Sequence, residues 1–213
     1  MEPIDDTLID LPEPLRALAA RGVRHRYRKG TLLISEGDVG DTIYIVLDGR
    51  VKAFSADERG HEIVYGVYGR ADYFGEMSLD GGPRSASVET LEPTVCVTIT
   101  RRTLREHIAA HPEFAFELIS RVIRRARLAT RSARGMALLG VYGRLVQRLD
   151  DLAEPQPDGT RAIVGKLTHA DIASQIGCSR EMVSKLMKDL TTGGHIATQR
   201  GLITIRRALP SGW

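Results

Sequence analysis

Cysteine is scarce in this chain. Its 213 residues hold two, Cys96 and Cys178, far apart and without a C-x-x-C spacing. That pair suggests neither a zinc centre nor an iron–sulfur cluster. Long apolar runs are also missing, since none approaches the roughly 20 residues that a bilayer span requires. The acidic start Met1–Asp10 lacks the n-region of a signal peptide, so the expectation is a soluble, cytoplasmic protein. No internal repeat is present. With 42% hydrophobic and 27% charged residues, a collagen, a disulfide-stapled mini-protein and a wholly disordered chain are all excluded. No Ser–His–Asp set or catalytic carboxylate pair is recognisable, so no enzyme is expected. His107 and His111 stand four apart, a metal-capable spacing, but without the H-E-x-x-H order or a third ligand no metal site is expected.

What the chain does have is uneven charge. Its net +3 conceals −6 over residues 1–100, +4 over 101–160 and +5 over 161–213. A charge asymmetry of this kind points to separate tasks, one of them at a polyanion.

The first hundred residues read as β structure. The runs Thr31–Ser35, Thr42–Leu47, Val51–Ser55, Glu62–Val67 and Val95–Thr100 are short, β-branched or aromatic-rich, and separated by glycine turns. Asp48-Gly49 predicts a hairpin with a type I′ turn. Regularly spaced short strands of this sort indicate a sandwich or barrel. From Thr100 the period becomes helical: Arg101–His111, Glu113–Leu139, then Arg144–Leu152 beyond a hinge at Gly140 and Gly143. In the long helix Ala115, Ile119, Val122, Ala126, Ala129, Ala133 and Met136 follow four- and three-residue steps, an a/d seam. Either that helix lies on its own domain, or it pairs with a second copy through Ile119, Val122, Ala126, Ala129, Ala133 and Met136. The arginines 121, 124, 125, 127, 131 and 134 read as a solvated basic surface.

Two segments carry chemistry. In Phe74-Gly75-Glu76-Met77-Ser78-Leu79-Asp80-Gly81-Gly82-Pro83-Arg84-Ser85-Ala86, a glycine opens a short helical turn whose free N–H groups make an anion cradle. Arg84 offers paired donors to a phosphate diester, and Glu76 an acceptor to a sugar hydroxyl. A bare Glu–Arg pair on a surface is equally common.

The second segment runs from Thr168 to Leu190. Thr168 and Asp171 make a capping box that opens a helix to Ile176, Gly177 turns the chain, and Ser179 caps a helix Arg180–Leu190. A hairpin about Arg200-Gly201 follows, completing the pattern of a winged helix-turn-helix. Arg180, Glu181, Ser184, Lys185 and Lys188 share the outward face, with the side-chain types that read guanine, cytosine and phosphate. Cys96 is expected in the core and Cys178 in packing.

Together these motifs resemble the cyclic-AMP receptor protein/FNR family of bacterial transcription regulators. G-E-x-x-L…R-S-A resembles that family's phosphate-binding cassette, and G-C-S-R-E its recognition helix. The resemblance implies an α+β chain: an N-terminal β-roll sensor over 1–112, a dimerisation helix and hinge over 113–140, and a winged helix-turn-helix over 141–213. It implies a cyclic nucleotide held by Gly75, Glu76, Met77, Ser78, Arg84 and Ser85, with Ala129 and Thr130 reading its base. Cyclic AMP is the first expectation, with cyclic GMP, cyclic di-GMP or a ligand-independent regulator as alternatives. It further implies palindromic DNA with TGTGA-like half-sites, met by Thr168, Ser179, Arg180, Glu181, Ser184, Lys185, Lys188 and Arg200. RNA polymerase is the implied partner.

Overall fold

The computed structural model describes residues 11–163, 165, 167–199 and 201–210. It contains two compact units, one built from the chain before Asp57 with Val64–Arg127, the other from Leu128 onward with Asp57–Ile63.

The first unit is a roll of two four-stranded sheets. One has the order β1 (Val23–Tyr27), β8 (Thr94–Thr100), β3 (Thr42–Asp48), β6 (Tyr73–Phe74). The other has the order β2 (Leu32–Ile34), β7 (Ser87–Thr90), β4 (Val51–Ala56), β5 (Glu62–Tyr68). Val46, Phe74 and Cys96 of the first sheet pack with Ile34, Val51, Ala53 and Val88 of the second. The opposite face of the first sheet, Ile43, Ile45, Leu47, Val97 and Ile99, is covered by helices. Strand β3 is therefore apolar on both faces, which explains its unbroken run Ile43–Leu47. The covering helices are α1 (Glu13–Ala19), through Leu15 and Leu18, and α2 (Arg101–Ala110), through Leu104. Phe114 joins them from the start of α3 (Glu113–Leu138).

Two sequence expectations are corrected here. Asp48-Gly49 does not close a hairpin: β3 pairs with β8 and β6, whereas β4 pairs with β7 in the other sheet. Gly49 alone takes positive φ, 81°, and a Cβ there would lie 2.5 Å from the Pro93 carbonyl oxygen. The glycine lets the chain cross between sheets against a neighbouring loop. The second correction is that α4 (Val141–Leu152) begins three residues earlier than expected. Gly140 is its extended N-cap and Gly143 lies inside the helix, under the Leu139 side chain.

The second unit gathers α4, α5 (His169–Ile176) and α6 (Arg180–Thr192) with a sheet of order β11 (Ile196–Gln199), β12 (Leu202–Ile205), β10 (Arg161–Ile163), β9 (Ala153–Pro155). Its core joins Leu145 and Leu149 to Ile172, Ile176, Val183, Leu186, Leu190 and Ile203. The predicted capping box is present at Thr168 and Asp171, and Gly177 ends α5 at φ 64°. Cys178 packs half-buried against this core.

Candidate functional site

In the roll, Gly75 takes φ 88° and starts a single 3₁₀ turn, Glu76–Ser78. Positive φ is natural only for glycine, and a Cβ there would meet the Thr42 carbonyl oxygen at 2.8 Å and Arg84 Nη1 at 2.9 Å. Arg84 is 7% exposed. Its Nη1 donates to the Gly75 carbonyl (2.9 Å) and Ser78 Oγ (2.8 Å), and Nη2 donates to Thr42 Oγ1 (3.1 Å). Three of its five N–H groups are thus engaged from the turn and from β3. Gly40 closes over the rest, since a Cβ at that position would lie 2.7 Å from Nη2 and 2.9 Å from Nε.

Glu76 is buried, its side chain 1% exposed. One carboxylate oxygen, Oε1, accepts from Arg125 Nη1 on α3. The other, Oε2, is buried without a hydrogen-bond partner. A buried acceptor in that condition carries a cost of about 1–3 kcal/mol, more for a charged group, until a donor reaches it. Met77 and Ser85 are exposed at the rim, with the Ser85 hydroxyl donating to Met77 Sδ. The structure therefore brings Gly75, Glu76, Met77, Ser78, Arg84 and Ser85 together. Ala129 and Thr130 lie exposed on α3 within the second unit.

Two of the arginines read as solvated are not. Arg125 bonds Glu76 and the Tyr73 carbonyl, and stacks over the Tyr68 ring at 4.5 Å. Burial pulls its pKa down, but the Glu76 carboxylate together with Tyr68 and Tyr73 more than offsets this and leaves it raised. One turn earlier, Arg121 binds Asp72 Oδ1 at 2.6 Å and covers the Tyr73 ring at 4.4 Å. Burial pushes the Tyr73 phenol up to about 12. The reason is positional. Phe114, Leu118, Arg121 and Arg125 follow helical spacing along one stripe, so the face that docks on the roll continues into the arginines. Arg124, Arg127, Arg131 and Arg134 are exposed, as expected. So is the seam from Ile119 on, through Val122, Ala126, Ala129, Ala133 and Met136, while Ala115 is half-buried.

In the second unit, the Ser179 side chain caps α6 by accepting from the Met182 N–H. Arg180, Glu181, Lys185 and Lys188 project outward and are exposed, with no ion pair among the described residues. Ser184 stands on the same side but is half-buried, its Oγ 2.9 Å from His169 Nδ1. Thr168 Oγ1 is exposed at the head of α5. Strands β11 and β12 pair antiparallel as the wing; Arg200 lies outside the described residues.

His107, one of the pair four apart, is 1% exposed and its ring packs edge-on against Phe114. Among the described residues no three His, Cys, Asp or Glu side chains converge as a metal would need. No helix among them is long and apolar enough to cross a membrane. Cys96 is fully buried, and burial pushes its thiol up to about 12.

Comparison with known proteins agrees with this division. The family profile of the cyclic nucleotide-binding domain matches residues 24–111, and that of the Crp-like helix-turn-helix domain matches residues 143–208. A CRP-like cAMP-activated global transcriptional regulator of Mycobacterium tuberculosis is 32% identical over 189 residues, 87% of this chain and 84% of its own. The cAMP-activated global transcriptional regulator CRP of Haemophilus influenzae is 34% identical over 173 residues, 78% and 76% of the two chains. Among solved structures, the c-di-GMP responsive global regulator CLP of Xanthomonas campestris superposes with a TM-score of 0.75 at 23% identity, covering 91% of this chain and 98% of its own. That likeness concerns the fold. Its relatives are transcriptional regulators and not enzymes, and the chain belongs to the CRP/FNR family: a DNA-binding regulator with a cyclic nucleotide-binding domain.

Proposed function

We propose that this protein is a homodimer paired through α3, which binds a cyclic nucleotide in the roll and reads a palindromic DNA site with α6. The observation that carries the ligand reading is Glu76 Oε2, a buried carboxylate oxygen with no donor, on the same turn that holds the buried Arg84 guanidinium through Gly75 and Ser78. A ribose 2′-hydroxyl supplies that donor. The cyclic phosphate is assigned to the Arg84 guanidinium, with Ser85 and the turn after Gly75. Cyclic AMP is the effector we assign, in line with the cAMP-activated relatives; Ala129 and Thr130 of α3 then read its base. The sensor extends to residue 112, the dimer helix and hinge over 113–140, and the DNA-binding domain over 141–213.

The exposed apolar seam supports pairing, because small residues such as Ala126, Ala129 and Ala133 let two helices approach closely. Arg180, Glu181 and Lys185 are assigned to base edges of TGTGA-like half-sites, while Lys188, Thr168 and Arg200 are assigned to the backbone. Recruitment of RNA polymerase completes the reading. Control requires that the nucleotide bind the DNA-competent state more tightly, by about 1.4 kcal/mol for each tenfold shift. The bend about Leu138–Gly143 is where that change is placed.

A second reading is favoured by the internal bonding of the pocket. Arg84 is already held by three partners and Glu76 by Arg125, as in a vestigial pocket on a ligand-independent regulator. Fluorescence anisotropy on a palindromic TGTGA duplex, with cyclic AMP, cyclic GMP and cyclic di-GMP in turn, separates the two. Tightening by cyclic AMP alone supports the first reading. DNA affinity indifferent to all three supports the second.

A further inference from the structure

His169 opens α5 and Ser184 lies on α6, yet the ring nitrogen Nδ1 and the hydroxyl Oγ are 2.9 Å apart. At about 100° per residue, Ser184 falls between Arg180 and Lys188 on the outward face. The bond therefore ties the first helix of the motif to the middle of the reading surface. It has two chemical forms. A neutral imidazole has one bare nitrogen; when that is Nδ1, the Ser184 O–H donates to it and Oγ presents only lone pairs outward. A protonated ring has no bare nitrogen, so Nδ1–H donates to Oγ and the hydroxyl hydrogen is released outward. The proton exchanges with solvent.

We propose that His169 is a positioning residue for base recognition, whose protonation sets whether Ser184 meets a base edge as acceptor or as donor. As an acceptor, Ser184 suits the amino groups of adenine or cytosine; as a donor it suits guanine O6/N7 or thymine O4. The preferred base pair opposite Ser184 then shifts toward guanine and thymine when the ring is protonated. Asp171 stands two residues on along α5, and Arg180, Glu181, Lys185 and Lys188 are the exposed charges that share the outward face of α6 with Ser184. The Asp171 carboxylate is engaged by Thr168. From α4, Arg144 and Arg148 reach the far end of α5, onto Ile176, Gly177 and Gln175.

This inference rests on α6 as the reading helix, so the test carries a marker for that. Anisotropy is measured on the full chain with cyclic AMP present, at about pH 6 and about pH 8. The duplexes are palindromes in which each half-site position is changed in turn. At one position, the affinity ratio of acceptor-bearing to amino-bearing bases rises about three- to tenfold on acidification, the range of one ordinary hydrogen bond. The added charge tightens all duplexes alike and cancels in the ratio. The shift vanishes in Ser184→Ala and in His169→Gln, two variants that test the pair independently. A ratio unchanged by pH at every position, or a shift that survives Ser184→Ala, overturns the proposal and leaves the reading helix standing. Unaltered base discrimination in Arg180→Ala overturns the reading helix as well.

Discussion

The roll and the helix-turn-helix handle charge in opposite ways. In the roll, Glu76 and Arg84 are buried, and each is held by partners from within the protein. On α6, Arg180, Glu181, Lys185 and Lys188 are exposed and without ion pairs among the described residues. A buried charge must be compensated before any ligand arrives, because desolvation costs several kcal/mol per ion. An exposed charge on a rigid helix waits for an extended polyanion at little cost. On the proposed reading, specificity is stored in two forms, one missing donor in the roll and an unmatched basic face on the helix.

That contrast can be broken at its strongest point first. Arg125→Ala leaves the Glu76 carboxylate buried and unpaired, and about 3–5 kcal/mol of the first unit's stability is expected to be lost, read by urea unfolding. An unchanged midpoint would show that Glu76 is not charged in the folded protein. Arg84→Ala comes next: loss of charge-assisted hydrogen bonds to the cyclic phosphate is expected to weaken cyclic AMP binding by at least about 1.5–3 kcal/mol, measured calorimetrically. Unaltered affinity would move the nucleotide out of this pocket. On the exposed side, Arg180→Ala is expected to cost about 1–3 kcal/mol on the cognate duplex and much less on random DNA; equal losses on both would mean that Arg180 touches only backbone.

The smallest effect concerns pH. Burial holds the His107 pKa below the ordinary histidine value, helped by the charges of His111 and Arg21. The unfolded chain takes up that proton first, at about pH 6.5. Stability therefore declines as pH falls from about 6.5 toward the lower folded value. Between about pH 8 and about pH 6, the thermal midpoint of the wild type is expected to fall relative to that of His107→Leu. Parallel curves would remove His107 as a cause.

Much of this is legible in the sequence alone. The capping box at Thr168 and Asp171, the stop at Gly177 and the wing about Gly201 are local signals, and local physics decides them. The turn at Gly75 is legible too, because glycine at positive φ leaves a trace in the sequence. Strands β1, β6, β7, β9 and β10 are not legible there: Val23–Tyr27 carries three basic side chains, and the other four are two to four residues long. Asp48-Gly49 misled because a turn motif does not say whether its flanking strands pair or part. Arg121 and Arg125 were hidden among six arginines. Their register with Phe114 and Leu118 was the available signal, but only contact with Tyr68, Tyr73, Asp72 and Glu76 gives it meaning.

Linkage provides the most direct test that the roll controls the helix. If cyclic AMP tightens DNA binding by some factor, DNA must tighten cyclic AMP binding by the same factor. Cyclic AMP affinity should therefore be measured on the full chain, free and saturated with the palindromic duplex. An increase on DNA equal to the nucleotide's effect on DNA affinity is the predicted result. The same cyclic AMP affinity with and without DNA would contradict the account, leaving two sites that share a chain without sharing a state.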